Sequence, residues 1–328
     1  MALTMFGRTI RKVGVIGSRN MGPDIALHFS QSLYSYHVPV VVVDNLQAAL
    51  DEGSKKTELK VAKAAEKGAF KKEAAEAILK NLLFTRDYAN LADADLVVEA
   101  GSEDVNARHN IFNQLEKICP NTAIFASNSS HAVPEDIFEA LNNKGRCLVV
   151  HYFFPAESNI WVEIVPGRTT DPALAEYLMN LYEFIGKAPT LVKSRWGFVG
   201  STVFEGLFEA TALTVEQGHA SLKEADAIAA KALGMNVGPF AAHNLVDGNS
   251  VTRQGLTGSH TQIMPWYGPP GILDDRIKSG KPWETAGRGE LVRYSPEMYE
   301  AVSKRVIGAY SGMITEIVDS GISSIGDV

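Results

Sequence analysis

Cysteine is nearly absent from this chain: 328 residues hold two, Cys119 and Cys147, in apolar surroundings and without a partner's spacing. That excludes a disulfide framework and a cysteine-rich metal site, and reads as two reduced core thiols in a cytoplasmic protein. A basic excess is lacking too. The 31 Lys and Arg are outnumbered by 38 Asp and Glu, for a net charge of −7, so nothing is in place to neutralise nucleic-acid phosphates. No apolar run reaches the roughly 18 residues that suggest a membrane span. The opening MALTMFGRTIRK is too short and polar for a secretory signal. Low-complexity tracts and short repeats are missing. What remains is the composition of an ordinary soluble globular chain, 45% apolar and 21% charged, with length enough for two domains.

The first half alternates. KVGVIG reads as a strand and MGPDIALHFSQSL as a helix; VPVVVVD reads as a strand buried on both faces, and Leu46 to Lys80 as one long Lys/Ala/Glu helix. ADLVVEA, TAIFASN, CLVVHYFF and WVEIVP continue as strands, with VNARHNIFNQLEKI a helix between the first two. This rhythm predicts an α/β domain of the Rossmann type, a doubly wound sheet over 1–193. Beyond it the periodicity turns helical and predicts an all-α domain over 194–292 and a helical extension over 293–328. SLKEADAIAAKALG carries its own start signal, with Ser221 as N-cap and Glu224 closing a capping box.

KVGVIGSRNMGPDIA begins as a nucleotide-binding turn should. In such a turn the first glycine allows the bend, the second lets backbone approach a pyrophosphate, and the third lets helix pack on strand. Gly17 and Gly22 fill the first and third roles, whereas Arg19 stands in the second. Its side chain crowds a pyrophosphate or pairs with it through the guanidinium. Asp44, at the tip of the second apolar strand, suits the hydroxyls of an adenosine ribose and disfavours a 2′-phosphate. It lies 27 positions after Gly17, against the usual ~20, so the first helix or the loop after it is extended.

A second constellation lies in FASNSSHAVP and VVHYFFPAESNIWVEIVPG. His151 closes one apolar strand and Glu163 sits inside the next. A carboxylate there orients an imidazole and stabilises its charged form, which makes a general acid/base. Ser130 supplies a hydroxyl for a substrate oxygen. The same residues also read as a satisfied His–Glu pair at a sheet edge.

Together VGVIGSRNMG, DLVVEAGSED, AIFASNSS, HYFFPAESNIWVEIVPG, WGFVGS and NVGPFAAHNLVDG resemble the L-3-hydroxyacyl-CoA dehydrogenase family, over roughly Arg11 to Glu290. The resemblance implies an NAD-dependent oxidation of an (S)-3-hydroxyacyl-CoA, as in fatty-acid β-oxidation. His151 would take the hydroxyl proton, held by Glu163, with Ser130 and Asn128 at the substrate oxygen and nicotinamide edge. Gly17, Arg19, Asn20, Met21, Gly22 and Asp44 would hold the cofactor, and Glu103 and Arg108 would lie beside its nicotinamide ribose. The acyl-CoA would be the partner molecule, held by Ser130 and Ser201. Lys60 and Lys67, in a helical stripe with Lys56 and Lys63, would meet CoA phosphates; the plain reading of that stripe is a solvated face. The resemblance implies a homodimer and no metal.

The departures from the family pattern also carry expectations. Asp24 replaces a glycine near the helix start, pointing away from a pyrophosphate or pairing with Arg19. Ser201 replaces an asparagine, and Phe154, Trp161 and Trp196 add aromatic bulk. One reading is an active enzyme whose pocket takes a bulky, cyclic or aromatic acyl group. The alternative is a cofactor-impaired homologue, a CoA-ester-binding or structural subunit of a larger complex. The extension resembles the start of a second helical-domain copy. Its apolar positions Met298, Val302, Val306, Tyr310, Met313 and Ile317 need a surface to cover, which a partner subunit would supply.

Overall fold

Buried four-residue strands set the frame of the first half. In the computed structural model, which describes residues 2–327, the chain divides into two units between Ser194 and Arg195. The first opens with a hairpin that the sequence reading missed, β1 (Leu3–Met5) and β2 (Arg8–Ile10). Its turn is Phe6-Gly7, both at positive φ (48° and 77°), the geometry that matches strand twist in tight hairpins. There follow β3 (Val13–Ile16), α1 (Gly22–Leu33), β4 (Val40–Val43), α2 (Gln47–Glu66), α3 (Lys72–Lys80), β5 (Leu82–Thr85) and β6 (Leu96–Glu99). Then come α4 (Val105–Ile118), β7 (Ile124–Ser127), α5 (Pro134–Ile137), β8 (Cys147–Tyr152), β9 (Trp161–Pro166), α6 (Pro172–Phe184) and β10 (Ala188–Leu191).

The strands form one sheet in the order β10-β9-β8-β7-β6-β3-β4-β5. Pairing is parallel from β5 through to β8, antiparallel between β8 and β9, and parallel again between β9 and β10. Every residue of β3, β4, β6, β7 and β8 is buried. That is why these segments are apolar without alternation: both faces are covered. Each valine of Val40–Val43 is at most 2% exposed, worth roughly 1.5–3 kcal/mol by burial. Cys119 and Cys147 are free and buried, and burial pushes their thiols up to about 11 and about 12.

Two expectations change in detail. The single helix over Leu46 to Lys80 is two, because Gly68 takes a left-handed conformation (φ 78°) just after α2 and ends it. The long interval before Asp44 is a 3₁₀ turn, Tyr34–Tyr36, closed by His37 at φ 56°.

The second unit holds α7 (Gly200–Glu216), α8 (Leu222–Leu233), α9 (Pro239–Val246), α10 (Asn249–Gln262), α11 (Gly271–Ser279) and α12 (Pro296–Asp319). Phe208, Phe240, Leu256, Tyr267 and Trp283 centre its core. The Ser221–Glu224 capping box is present in full. The extension is α12, whose Val302, Val306, Met313 and Ile317 are buried, and which packs on α7 and α8. Gly206 on α7 makes room: a Cβ there would sit 2.1 Å from the Met313 sulfur. The Arg195 guanidinium donates to both Glu316 oxygens, at 2.7 and 2.8 Å. Its own chain therefore supplies the surface that Val302, Val306, Met313 and Ile317 need, while Tyr310 stays exposed. Among the described residues no helix is long and apolar enough to cross a membrane.

Candidate active site

The sheet reverses direction of progression between β3 and β6, and ligands of such sheets bind outside the carboxyl ends of the strands at that switch point. The glycine-bearing turn sits there. Gly17 lies at φ 99°, and a Cβ on it would fall 2.6 Å from the Gly101 Cα and 2.8 Å from the Ala100 carbonyl oxygen. On Gly22 a Cβ would fall 1.9 Å from the Gly17 oxygen. The outer glycines are thus sterically required. Arg19 and Asn20 are exposed at the crest, and Met21 packs on the core.

Helix α1 begins here with no side chain capping its first turn. Its amide groups and the positive end of its dipole face the crevice edge, which suits a pyrophosphate. The Asp44 carboxylate accepts from the Ser18 N–H (2.8 Å) and the Leu46 N–H (2.9 Å). That fixes it at the mouth of the turn with lone pairs left for ribose hydroxyls. These residues fit an adenine dinucleotide.

Asp24 does not pair with Arg19. It is 1% exposed and takes salt bridges from Lys56 (3.1 Å) and Lys60 (2.8 Å) on α2. Burial pushes its carboxyl up while the two lysines pull it down. Lys56 also donates to the Asn20 carbonyl (2.9 Å), and Lys60 pairs with Glu157 at 2.6 Å. The expected stripe is therefore split. Lys56 and Lys60 are engaged within the chain, and Lys63 and Lys67 are exposed.

Along the same edge of the sheet stands the second constellation. His151 and Glu163 are direct partners in the antiparallel β8–β9 register, and His151 Nδ1 lies 2.7 Å from Glu163 Oε2. His151 is 5% exposed and Glu163 fully buried. The Asn128 side-chain oxygen accepts from the Tyr152 N–H (2.8 Å), tying the end of β7 to the end of β8. The Phe153 ring lies 4.4 Å from the His151 ring and stacks on Trp161 at 4.3 Å and 4°.

Arg108 stands apart from expectation. It is 1% exposed, and its guanidinium is spent on three partners: Glu99 (3.1 Å), Ser129 (3.1 Å) and Glu103 (2.9 Å). Glu99 in turn accepts from the Gly101 and Ser102 N–H groups and from Ser127. Arg108 thus braces Glu99, Ser129 and Glu103 from within. Its partner Glu103 reaches Ser130, whose hydroxyl donates to it at 3.5 Å. The sequence reading missed Glu99, although an acid closing an all-apolar strand was the very signal that marked Asp44. In the second unit Ser201 is buried in the first turn of α7. There, Trp196 donates to the Gly255 carbonyl (3.1 Å) and lies over Gly258, where a Cβ would be 2.2 Å from its ring.

Comparison with known proteins agrees with this layout. The family model for the 3-hydroxyacyl-CoA dehydrogenase NAD binding domain matches residues 12–195, and that for the C-terminal domain matches 197–291. A probable 3-hydroxybutyryl-CoA dehydrogenase of Deinococcus radiodurans is 29% identical over 286 residues, covering 85% of this chain and 98% of that protein. The peroxisomal bifunctional enzyme of Cavia porcellus is 29% identical over 79% of this chain; the chain spans only 35% of that relative's length. Among solved structures, FadB2 of M. tuberculosis superposes with a TM-score of 0.78 at 27% identity, covering 84% of this chain and 96% of that one. With both family models matched in order over residues 12–291, the protein belongs to the 3-hydroxyacyl-CoA dehydrogenase family, and its first unit is that family's NAD binding domain.

Proposed function

We propose that the protein oxidises an (S)-3-hydroxyacyl-CoA to the 3-oxoacyl-CoA. Bound NAD supplies the hydride acceptor. The observation that carries the reading is the buried His151–Glu163 contact on the edge of the sheet that also bears the dinucleotide turn. With Nδ1 committed to Glu163, His151 exchanges the substrate's hydroxyl proton at Nε2, and Glu163 stabilises the imidazolium that results. Asn128 and Ser130 lie at the end of the neighbouring strand, where they orient the oxygen. Turnover of 3-hydroxybutyryl-CoA with NAD, followed at the NADH absorbance, tests this; no turnover with any 3-hydroxyacyl-CoA sinks it.

The finer part of the proposal is a bulky, cyclic or aromatic acyl group. The Phe153–Trp161 stack, partly exposed and in contact with the His151 ring, supports it by offering a flat apolar wall. A higher kcat/KM for aryl or cycloalkyl thioesters than for the C4 substrate is the expected result. One observation favours the cofactor-impaired alternative: Arg19 at the crest where close backbone approach is usual. Absence of NADH binding at millimolar cofactor would establish it. The homodimer implied by the resemblance belongs to the proposal and is read from sedimentation.

A further inference from the structure

The segment 153–160 joins the two strands that carry His151 and Glu163, and its fixing comes from outside. We propose that Lys187 and Lys60 are positioning residues, two ammonium groups from which this connection hangs and which thereby hold the His–Glu pair in register. Lys187, just before β10, is 6% exposed, and donates to the Ala156 carbonyl (2.5 Å) and the Asn159 carbonyl (2.6 Å). Lys60, from α2, holds Glu157 in the same segment (2.6 Å) while anchored on Asp24. Beyond the two ammonium groups, the Ile160 carbonyl at the segment's end accepts from the Ala188 N–H of β10 (2.7 Å), and the remaining bonds are local: Ser158 and Asn159 N–H groups to the Pro155 carbonyl, and Trp161 N–H to the Asn159 side chain.

A buried ammonium is costly unless its donors are satisfied. Lys187 meets that cost with two carbonyls of this one segment, and neither carbonyl has a strand partner to replace it. The groups facing Lys187 are Glu157 in the segment, the Tyr152 ring (5.7 Å to its centroid) and His28 on α1. Burial pushes the Lys187 ammonium down to about 8, and burial, with a smaller push from the Lys187 charge, drives His28 down to about 3. Both shifts agree with a cation enclosed on all sides. Glu157 is the acid among these groups, and Lys60 holds it.

The inference rests on the dehydrogenase reading for its kinetic arm and on hydrogen exchange for the rest. In Lys187→Met, amides of 153–160 are expected to exchange at least about tenfold faster, with those of α1 and α4 unchanged. Turnover is expected to fall about tenfold in kcat, with NADH affinity within about twofold and partial recovery in Lys187→Arg. The wild type should lose kcat as pH rises through about 8, and Lys187→Arg should move that alkaline limb upward. Unchanged exchange over 153–160, or wild-type kcat in a folded Lys187→Met protein, would overturn the proposal. Should Lys187→Met not fold, Lys60→Met decides: about threefold faster exchange in the segment supports the inference, and no change refutes it. A wild-type protein without turnover sinks the functional reading alone, since the exchange comparison still stands.

Discussion

Buried acids are handled differently in the two units. In the first, each buried carboxylate near the sheet edge faces a cation or a cation-to-be: Glu99 faces Arg108, Asp24 faces Lys56 and Lys60, and Glu163 faces His151. In the second, Glu209 on α7 is 3% exposed, takes a hydrogen bond from the Gly268 backbone with one oxygen, and has no partner for the other. Burial pushes its carboxyl up to about 8. The first unit gives each of these acids a basic partner. The second holds this one as a neutral acid in a helical core.

The largest expected effect removes a partner from the first unit. His151→Ala should lower kcat by between about 10² and 10⁴, with NADH titration unchanged; wild-type turnover would refute its role. Next is Arg108→Met, which strands Glu99 in the core and should cost about 3–5 kcal/mol in chemical denaturation. Arg108→Lys, able to keep fewer of the three contacts, should fall between. A loss below about 1 kcal/mol would mean that Glu99 does not need its cation.

Glu209→Gln sharpens the other side. Between the ordinary carboxyl value of 4.5 and the raised value of about 8 the folded state binds the proton more tightly than the unfolded state. Stability therefore falls as pH rises through that window. The glutamine should be more stable than wild type by roughly 4 kcal/mol near pH 8, and by almost nothing at pH 4. Melting curves across pH check this, and a gain independent of pH would contradict a neutral Glu209. The smallest effect concerns an exposed cation outside both sets. Arg19→Gly should weaken NADH binding about threefold if the guanidinium pairs with the pyrophosphate. Tighter binding would show that Arg19 obstructs.

The same contrast explains what could be read from sequence. The apolar strands, the turn glycines and the Ser221 cap were legible because each rests on local chemistry. His151 and Glu163 were legible as candidates because each interrupts an apolar strand. The destinations of the charges were not. Asp24, Lys60 and Arg108 find partners on other elements, and nothing in their neighbourhoods along the chain names Glu157 or Glu99. The hairpin at the N-terminus and β5 and β10 were missed because strands of three or four residues carry too little periodicity. Trp196 was grouped with Trp161 by residue type, yet the two belong to different units.

The His151–Glu163 contact has one further consequence. Because the two residues stand opposite each other on adjacent strands, their separation is a property of alignment and not of side-chain reach. A slip of one position would turn the acid to the opposite surface of the sheet. Such a pair has two settings, present or lost, with no graded state between them.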